Sequence, residues 1–228
     1  DAKEILEKEG ISTSQHPTSA SAIQITEGAR RLRQSEAYSK GLVELQDLSA
    51  QLAVARQDWP ETGRILDYCA GGGGKALAIA DRTSAQIVAY DAMPRRMADL
   101  PARAQRAGVH IETLSDPSEY GPYEAVLIDV PCSGSGTWRR DPDTKWRLGQ
   151  DRLKQLTETQ DDILEMSSAL VSVTGVLVYM TCSLFRSENE DRIAAFLGRN
   201  PHWKCTDMHC DTPLTASDGF FSARLERR

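Results

Sequence analysis

Short apolar segments alternate with longer amphipathic ones over most of the chain from Arg64 onward. A short apolar run between turn-forming residues is typical of a buried strand, whereas apolar residues at helical spacing indicate a helix packed on one face. Strands that alternate with helices predict a parallel sheet covered by helices. The pattern predicts strands over residues 64–68, 86–90, 110–114, 124–128 and 176–180, and helices over residues 75–81, 95–107, 150–171 and 187–197.

The segments that flank this region complete the predicted fold. Residues 41–56 carry apolar side chains at nearly helical spacing and predict a leading helix. Ser187 and Glu190 have the spacing of a capping box, which predicts the start of the last helix. Residues 203–206 and 219–225 predict a closing antiparallel pair. The predicted fold class is therefore α/β: a doubly wound Rossmann-like sheet, mostly parallel with an antiparallel C-terminal strand, and helices on both faces.

The first part of the chain has a different composition. Residues 1–40 are polar and predict only a short helix over residues 2–9 and a strand over residues 22–25. We interpret residues 1–40 as a linker or the tail of a preceding small subdomain, and residues 41–228 as the main domain. The sequence begins at Asp1 without an initiating Met or an apolar leader, which we interpret as the cut end of a longer protein.

Composition limits the class of protein. With 228 residues, of which 40% are hydrophobic, the chain is long enough for one substantial core. No apolar run approaches the roughly 18 residues that span a membrane, so we expect no membrane segment. Five cysteines, an odd number, argue against a secreted disulfide framework and predict a cytoplasmic location.

The net charge of −6 is unfavourable for a protein that contacts nucleic acid along much of its surface. One segment differs in character, because residues 138–147 combine two tryptophans with four cationic side chains. These six are Trp138, Arg139, Arg140, Lys145, Trp146 and Arg147. Aromatic rings stack on bases and cations contact phosphates, so this segment is a candidate contact for nucleic acid.

A glycine-rich loop follows the first predicted strand. It consists of Cys69, Ala70, Gly71, Gly72, Gly73, Gly74 and Lys75. Glycines let the backbone approach a ligand where a Cβ atom would collide. Asp91 ends the next strand, about 20 residues on, where a carboxylate accepts hydrogen bonds from ribose hydroxyls. Asp116 follows the third strand and is a candidate for an adenine edge, so these residues predict a nucleoside-containing cofactor.

Three cofactors compete for this loop. A nucleoside-triphosphate P-loop is excluded, because Cys69 replaces its first glycine and Ala76 replaces its Ser or Thr. A dinucleotide site, as in an NAD-dependent oxidoreductase, stays open because Gly71, Gly73 and Ala76 fit the permissive fingerprint. S-adenosylmethionine also stays open, since it needs a ribose-binding acid but no contact with a pyrophosphate.

Two cysteine loops follow two further apolar strands. Cys132 lies three residues after Asp129, and Cys182 lies just after the run that ends at Met180. Ligands of doubly wound sheets bind beyond the carboxyl ends of the strands, where we expect both thiols and the carboxylate. Backbone N–H groups exposed in such loops lower the pKa of a thiol from about 8.5. Both cysteines are therefore candidates for covalent attack on an electrophilic ring.

The remaining cysteines suggest a metal site at first sight, because Cys205 and Cys210 lie close to His202 and His209. Their spacing fits no standard zinc pattern, and adjacent residues of a regular strand point to opposite faces. We expect no bound metal.

These motifs resemble those of the RsmB/Sun-type S-adenosylmethionine-dependent RNA (cytosine-5) methyltransferases, from about Gly41 to the C-terminus. The similar segments are a leading motif, a cofactor loop, two cysteine loops and a closing strand: residues 41–47, 66–75, 129–136, 181–183 and 218–221. The paired cysteine loops are the most specific part. The family usually has Ala-Pro where this chain has Gly71-Gly72, and without the rigidity of proline we expect weaker cofactor binding.

The resemblance implies a catalytic domain over residues 41–228 that methylates carbon-5 of a cytosine in RNA, with ribosomal RNA as the expected partner. It implies that Cys182 is the nucleophile, that Cys132 assists release, and that Asp129 lies beside both cofactor and base. The implied residues for S-adenosylmethionine are Cys69, Ala70, Gly71, Gly72, Gly73, Gly74, Lys75, Asp91, Arg96, Asp116 and Asp129. The alternatives are a methyltransferase for another substrate, an NAD-dependent oxidoreductase and a non-catalytic RNA-binding module.

Overall fold

The computed structural model describes residues 1–228 and contains a seven-stranded sheet and a separate two-stranded one. The strands are β1 (Thr13–Gln15), β2 (Ile23–Ile25), β3 (Arg64–Asp67), β4 (Gln86–Ala89), β5 (Ile111–Thr113), β6 (Tyr123–Asp129), β7 (Val171–Thr181), β8 (Trp203–Asp211) and β9 (Phe220–Arg227). The helices are α1 (Ala2–Lys8), α2 (Glu36–Ser39), α3 (Leu48–Ala55), α4 (Gly74–Ala80), α5 (Leu100–Ala107), α6 (Asp143–Arg147), α7 (Gln150–Ser168) and α8 (Glu190–Arg199). None of these helices has both the length and the apolar character that crossing a membrane requires.

The large sheet has the strand order β5-β4-β3-β6-β7-β9-β8. Neighbouring strands from β5 to β7 are parallel, whereas β9 runs antiparallel to both β7 and β8. This confirms the predicted mostly parallel sheet with an antiparallel C-terminal strand. The chain leaves β3 toward β4 on one side and returns to β6 on the other, and ligands of open α/β sheets bind at such a switch point.

The core consists of two apolar layers on opposite faces of the sheet. Side chains alternate along a strand, so Ile65 faces one layer and Leu66 the other. The first layer includes residues of α3, α4 and α5, and the second includes residues of α7 and α8. Helices therefore cover both faces, as predicted, and the rigid sheet fixes the positions of its strand ends.

The leading helix is shorter than predicted. The prediction of a helix from residue 41 is wrong, because α3 begins only at Leu48. The carboxylate of Asp47 accepts a hydrogen bond from the Ser49 N–H (2.9 Å) and caps the helix there. Leu42 and Leu45, which extended the helical pattern, are about half exposed in an irregular segment.

Two other helix starts also differ from the prediction. The predicted helix over residues 95–107 is divided into a 3-10 helix, Pro94–Met97, and α5, which has Pro101 in its first turn. Proline has no N–H to donate and is tolerated only at such a start. The prediction of a capping box at Ser187 is wrong, because residues 186–188 form a 3-10 helix and α8 begins after Asn189.

Residues 1–40 contain more structure than one helix and one strand. They form α1, the hairpin β1–β2, a 3-10 helix over residues 29–34 and α2. Their buried apolar residues make a small cluster of their own: Leu6, Ile11, Leu32 and Ala37. The division into a preceding segment and a main domain stays a prediction.

Candidate active site

A cavity of about 260 Å³ lies at the carboxyl ends of β3 and β6. Its wall is formed by Gln46, Ala50, Asp67, Cys69, Ala70, Gly71, Gly72, Gly74, Lys75, Arg96, Arg103 and Asp129. The structure thus brings most of the predicted cofactor residues together around one space. A second cavity, of about 350 Å³, lies between the N-terminal segment and α4 and shares only Gln46 and Gly74 with the first.

The glycine loop takes a conformation that depends on its glycines. Gly71 and Gly73 have φ angles of +50° and +78°, which residues other than glycine rarely adopt. Gly73 is not part of the wall; a Cβ atom there would collide with Leu100 at the start of α5. The loop is therefore packed tightly on one side and open toward the cavity on the other.

Asp91 supports this loop from behind. Its Oδ2 accepts hydrogen bonds from the Gly71 N–H (2.9 Å) and lies 3.1 Å from Arg96 Nη1. Its Oδ1 accepts from the Met93 N–H (2.9 Å), and the side chain is 3% exposed. A carboxylate has about four acceptor sites, so these three contacts leave one unfilled. Asp91 itself is not part of the cavity wall. Asp116, in contrast, is exposed, caps a short 3-10 helix through the Ser118 N–H (2.8 Å), and is not part of the wall.

Asp67 belongs to the site, although sequence reasoning passed it over. It is the last residue of β3, is 1% exposed and lines the cavity. Neither carboxylate oxygen has a hydrogen-bond partner. Burial raises the pKa of Asp67 to about 7, although the charge of Lys75 acts against this. The signal that could have revealed it is an acid at the end of an otherwise apolar strand, just before a glycine loop.

Lys75 and Asp129 connect the glycine loop to the Cys132 loop. Lys75 Nζ lies 2.5 Å from Asp129 Oδ2 and 5.3 Å from the centre of the Phe220 ring. Burial disfavours the charged ammonium, yet the neighbouring carboxylates of Asp129 and Asp67 hold the pKa of Lys75 above its usual value. The pair therefore places fixed opposite charges between the cavity and the thiols.

The two predicted catalytic thiols lie side by side. Cys132 Sγ and Cys182 Sγ are 3.4 Å apart, although 50 residues separate them in sequence. Their shared hydrogen bond, as the largest cause, lowers the pKa of Cys182 and raises that of Cys132 well above its usual value. Lys75 also favours the Cys182 thiolate. The lowered pKa favours the thiolate of Cys182, and the raised pKa keeps the proton on Cys132.

The other three cysteines have no such environment. Burial raises the pKa of Cys69, which is part of the cavity wall, so this thiol stays protonated. Cys205 and Cys210 lie in β8, where burial also raises their pKa values. No group of three or more His, Cys, Asp or Glu side chains is arranged to hold a metal ion.

The aromatic and basic segment at residues 138–147 begins six residues after Cys132 in the sequence. Trp138 packs edge-on against Phe185, which follows Cys182, with ring centres 5.7 Å apart. Lys145 Nζ lies 5.9 Å from the Trp138 ring centre and 5.5 Å from that of Trp146. Trp146 is 82% exposed.

Two cations of this segment have a structural partner. Arg139 and Arg140 both pair with the buried carboxylate of Asp218, at 3.1 Å and 2.6 Å. Lys145 and Arg147, on the exposed helix α6, keep their charges directed to solvent. The segment therefore presents one exposed indole and two unneutralised cations next to the thiol loops.

The comparison with known proteins gives the family. The sequence pattern of the family described as 16S rRNA methyltransferase RsmB/F matches residues 52–225. The chain belongs to the RsmB/F methyltransferase family. The match begins within α3 and ends within β9, so it includes both cysteine loops and confirms the resemblance inferred from the motifs.

Relatives in this family are longer than the chain. Ribosomal RNA small subunit methyltransferase B of Photorhabdus laumondii is 32% identical over 240 residues, which cover 98% of this chain and 56% of that protein. The crystal structure of PH0851 is similar with a TM-score of 0.90 and 28% identity, covering 98% of this chain and 56% of that one. NSun6 from Pyrococcus horikoshii, solved with SFG, has the same fold, with a TM-score of 0.77 and 21% identity over 90% of this chain and 59% of that one.

Proposed function

We propose that this RsmB/F family protein transfers a methyl group from S-adenosylmethionine to carbon-5 of a cytosine in RNA, with small-subunit ribosomal RNA as the expected substrate. The observation that carries the proposal is the pair of thiols 3.4 Å apart, next to Asp129 and the cofactor cavity. A methyltransferase that acts on a stronger nucleophile has no use for such a pair. The name of the Photorhabdus relative supports ribosomal RNA as the substrate class.

The cavity suits S-adenosylmethionine. Asp67 offers two buried acceptor oxygens without a partner, which fit the ammonium group of the cofactor's amino acid part. The glycine loop leaves its backbone open to the cofactor, and Asp91 retains an acceptor for ribose. SFG, the ligand of the NSun6 structure, is an analogue of S-adenosylmethionine. When bound, S-adenosylmethionine supplies an electrophilic methyl group.

We assign the activation of the cytosine ring and the release of the product to the two thiols. Carbon-5 of cytosine is a weak nucleophile, and addition of the Cys182 thiolate to carbon-6 makes the ring enamine-like and carbon-5 electron-rich. After methylation a base removes the carbon-5 proton, and its electron pair re-forms the ring double bond as the bond to Cys182 Sγ breaks. Such covalent catalysis divides one difficult step into easier ones. Cys132, whose pKa is raised, is the proton-bearing partner that assists this release.

Asp129 and Lys75 act on the same ring. Asp129 lies at the end of β6, lines the cavity and is half-buried, so its carboxylate is assigned a hydrogen bond to the ring nitrogen or exocyclic amine of cytosine. At the ring nitrogen the carboxyl group must carry a proton to donate, and that donation draws electron density from carbon-6 and favours attack by the thiolate. At the exocyclic amine the ionised carboxylate accepts the hydrogen bond and orients the ring. Lys75 holds the Asp129 carboxylate in place through the 2.5 Å ion pair.

The RNA contact is assigned to residues 138–147. A target base must leave its stack to be reached from its face, and single-stranded or looped RNA allows this at low cost. The exposed Trp146 offers a ring on which a neighbouring base stacks, and Lys145 and Arg147 offer phosphate contacts. In a chain with a net charge of −6, such a local cluster of cations favours contact with phosphates.

The decisive experiment traps the covalent intermediate. The chain is incubated with S-adenosylmethionine and a 16S ribosomal RNA transcript that contains 5-fluorocytidine, whose fluorine blocks the final elimination. We expect a denaturation-resistant protein–RNA adduct for the wild type and none for Cys182→Ala. With unmodified RNA, Cys132→Ala should accumulate an adduct that the wild type resolves. A Cys182→Ala protein that still methylates the RNA contradicts the proposal, and an adduct that needs Cys132 instead reverses the two roles.

Calorimetry separates the cofactor classes without any RNA. We expect saturable binding of S-adenosylmethionine, weakened by Asp91→Ala, and no binding of NAD. Binding of NAD alone would overturn the methyltransferase proposal in favour of the oxidoreductase alternative.

A further inference from the structure

A buried carboxylate joins the two cysteine loops. Glu188, in the 3-10 helix before α8, is 0% exposed. Its Oε1 accepts hydrogen bonds from the Ser133 N–H (2.8 Å) and from Gln160 Nε2 (3.1 Å). Its Oε2 accepts from the hydroxyls of Ser133 and Ser183, both at 2.5 Å. All four donors are neutral groups, and together they use the acceptor capacity of the carboxylate.

The two serines are the residues that follow the two thiols. Ser133 comes directly after Cys132, and Ser183 directly after Cys182. Glu188 therefore bridges two loops that belong to different strands. Direct bonds also join the loops: the Gly136 N–H donates to the Cys182 carbonyl (3.0 Å), and the Leu184 N–H donates to the Ser135 hydroxyl (2.8 Å). Among these contacts, Glu188 is the group that binds the residue directly after each thiol.

Glu188 is itself held from two directions, at its carboxylate and at its main-chain carbonyl. Gln160 of α7 donates to Glu188 and, at 2.9 Å, to the Pro131 carbonyl just before Cys132. The Tyr179 hydroxyl of β7 donates to the Glu188 carbonyl (2.5 Å). A buried carboxylate without a cation is costly unless its acceptors are filled, and here Gln160 of α7 and the two cysteine loops fill them.

We propose that Glu188 is a positioning residue that holds Cys132 and Cys182 at the separation at which their sulfur atoms share a hydrogen bond. Glu188 touches neither the cavity nor a sulfur atom, so it acts through Ser133 and Ser183. The proposal deepens the proposed function, because thiol contact is what prepares attack and release. A carboxylate suits this role better than an amide, since Gln has one acceptor oxygen and cannot accept from both serine hydroxyls and both N–H donors.

The test uses the full chain with Glu188→Gln, and Glu190→Gln as the matched control two residues away in α8. The first measurement is the pH profile of Cys182 alkylation by iodoacetamide, followed by mass spectrometry of the Cys182 peptide. We expect the midpoint for Glu188→Gln to rise by about one pH unit, which is a tenfold loss of thiolate at neutral pH. Glu190→Gln should leave the midpoint unchanged.

A second measurement separates positioning from stability. Affinity for S-adenosylmethionine should stay at the wild-type value in Glu188→Gln, while adduct formation with the 5-fluorocytidine transcript slows about tenfold. An unchanged alkylation midpoint, or a loss of cofactor affinity in proportion to a loss of stability, overturns the proposal and leaves Glu188 a structural residue.

Two further variants keep the proposal testable if Glu188→Gln does not fold. Ser133→Ala and Ser183→Ala each remove one donor, and each should raise the alkylation midpoint. Combining them should give less than the sum of the two shifts, because both act through one carboxylate. Independent, additive shifts or none would contradict the proposal. Alkylation needs neither RNA nor cofactor, so its outcome is separate from the failure of a wild-type protein to methylate RNA.

Discussion

Lys75 Nζ and Asp129 Oδ2 lie 2.5 Å apart, and this ion pair is the direct link between the cofactor loop and the loop of Cys132. The two side chains are 14% and 29% exposed, so the pair is shielded from water without being sealed. One carboxylate thus borders both the cofactor cavity and the thiols. A change at Lys75 should therefore affect stability and chemistry together.

Lys75→Met tests this pair. It leaves the half-buried Asp129 without its cation, and we expect a loss of about 1–3 kcal/mol of unfolding free energy, less than for a fully buried pair. Lys75→Met combined with Asp129→Asn should recover part of this loss but no methyl transfer. Urea unfolding of the wild type, both single variants and the double variant measures the coupling. Strictly additive effects would show that the two side chains do not interact.

Asp67→Asn tests the buried acid through the pH dependence of stability. The pKa of about 7 in the folded protein exceeds the ordinary value of 3.8, so the folded state binds more protons between these pH values. Stability is therefore greatest below about pH 4 with respect to this group and falls as the pH rises through 7, by up to about 4 kcal/mol. Asp67→Asn should remove this fall, so the variant should be more stable than the wild type at pH 8.

The measurement for Asp67 is urea unfolding at pH 5 and pH 8. The exposed Asp99 provides the control, and Asp99→Asn should keep the wild-type pH dependence. Cofactor affinity should move in the opposite direction, because Asn removes the negative charge assigned to the cofactor's ammonium group. A variant that retains the wild-type slope would refute the raised pKa.

Cys132→Ala tests the coupling of the thiols. The shared hydrogen bond is the largest cause of the lowered pKa of Cys182, so its removal should raise that pKa. Alkylation of Cys182 should then need a higher pH, and its rate at pH 7 should fall. Cys205→Ala is the matched control, because Cys205 lies in β8, away from the pair. Equal alkylation profiles in all three proteins would mean that the sulfur atoms do not share a hydrogen bond in solution.

Trp146→Ala tests the RNA contact. The indole is 82% exposed, so its removal should change stability by no more than about 0.5 kcal/mol. RNA affinity should fall about tenfold, the size expected for one lost stacking contact. Val173→Ala is the control, since Val173 is 83% exposed near the start of β7, away from the carboxyl ends. Filter binding of the 16S transcript measures the RNA affinity of the wild type and of both variants. If Trp146→Ala binds as tightly as the wild type, Trp146 is not part of the RNA contact.

The sheet was predictable because its central strands are continuous apolar runs, of which residues 125–128 are the clearest example. The thiol pair was predictable for a related reason: β6 and β7 are parallel neighbours, so the loops that follow them meet at one edge. Helix starts were less predictable. The apolar repeat runs over residues 41–56, but Asp47 caps α3 in the middle of it, so the helix begins only there. The spacing of apolar residues does not reveal a hydrogen bond of this kind.

The roles of Glu188 and Asp67 in the site were not predicted from the sequence, for a different reason. Glu188 lies 55 residues from Ser133, and its function depends on donors that only the tertiary structure brings to it. Asp67 looks like an ordinary strand end until burial on both faces of the sheet removes it from water. The local pattern could mark Asp67 as a candidate, because an acid ends an otherwise apolar strand there, but its raised pKa and the contacts of Glu188 depend on the tertiary structure.

The position of β9 has a consequence for the order of events during synthesis. This strand is the last in sequence but lies between β7 and β8 in the sheet. A nascent chain that ends at α7 already contains Cys132 and the glycine loop, yet it lacks Cys182, Glu188 and the strand that holds β7 on its open side. The two thiols can therefore meet only after β7 and the residues that follow it have been synthesised, and the neighbour on the open side of β7 arrives later still, when β9 inserts between β7 and β8.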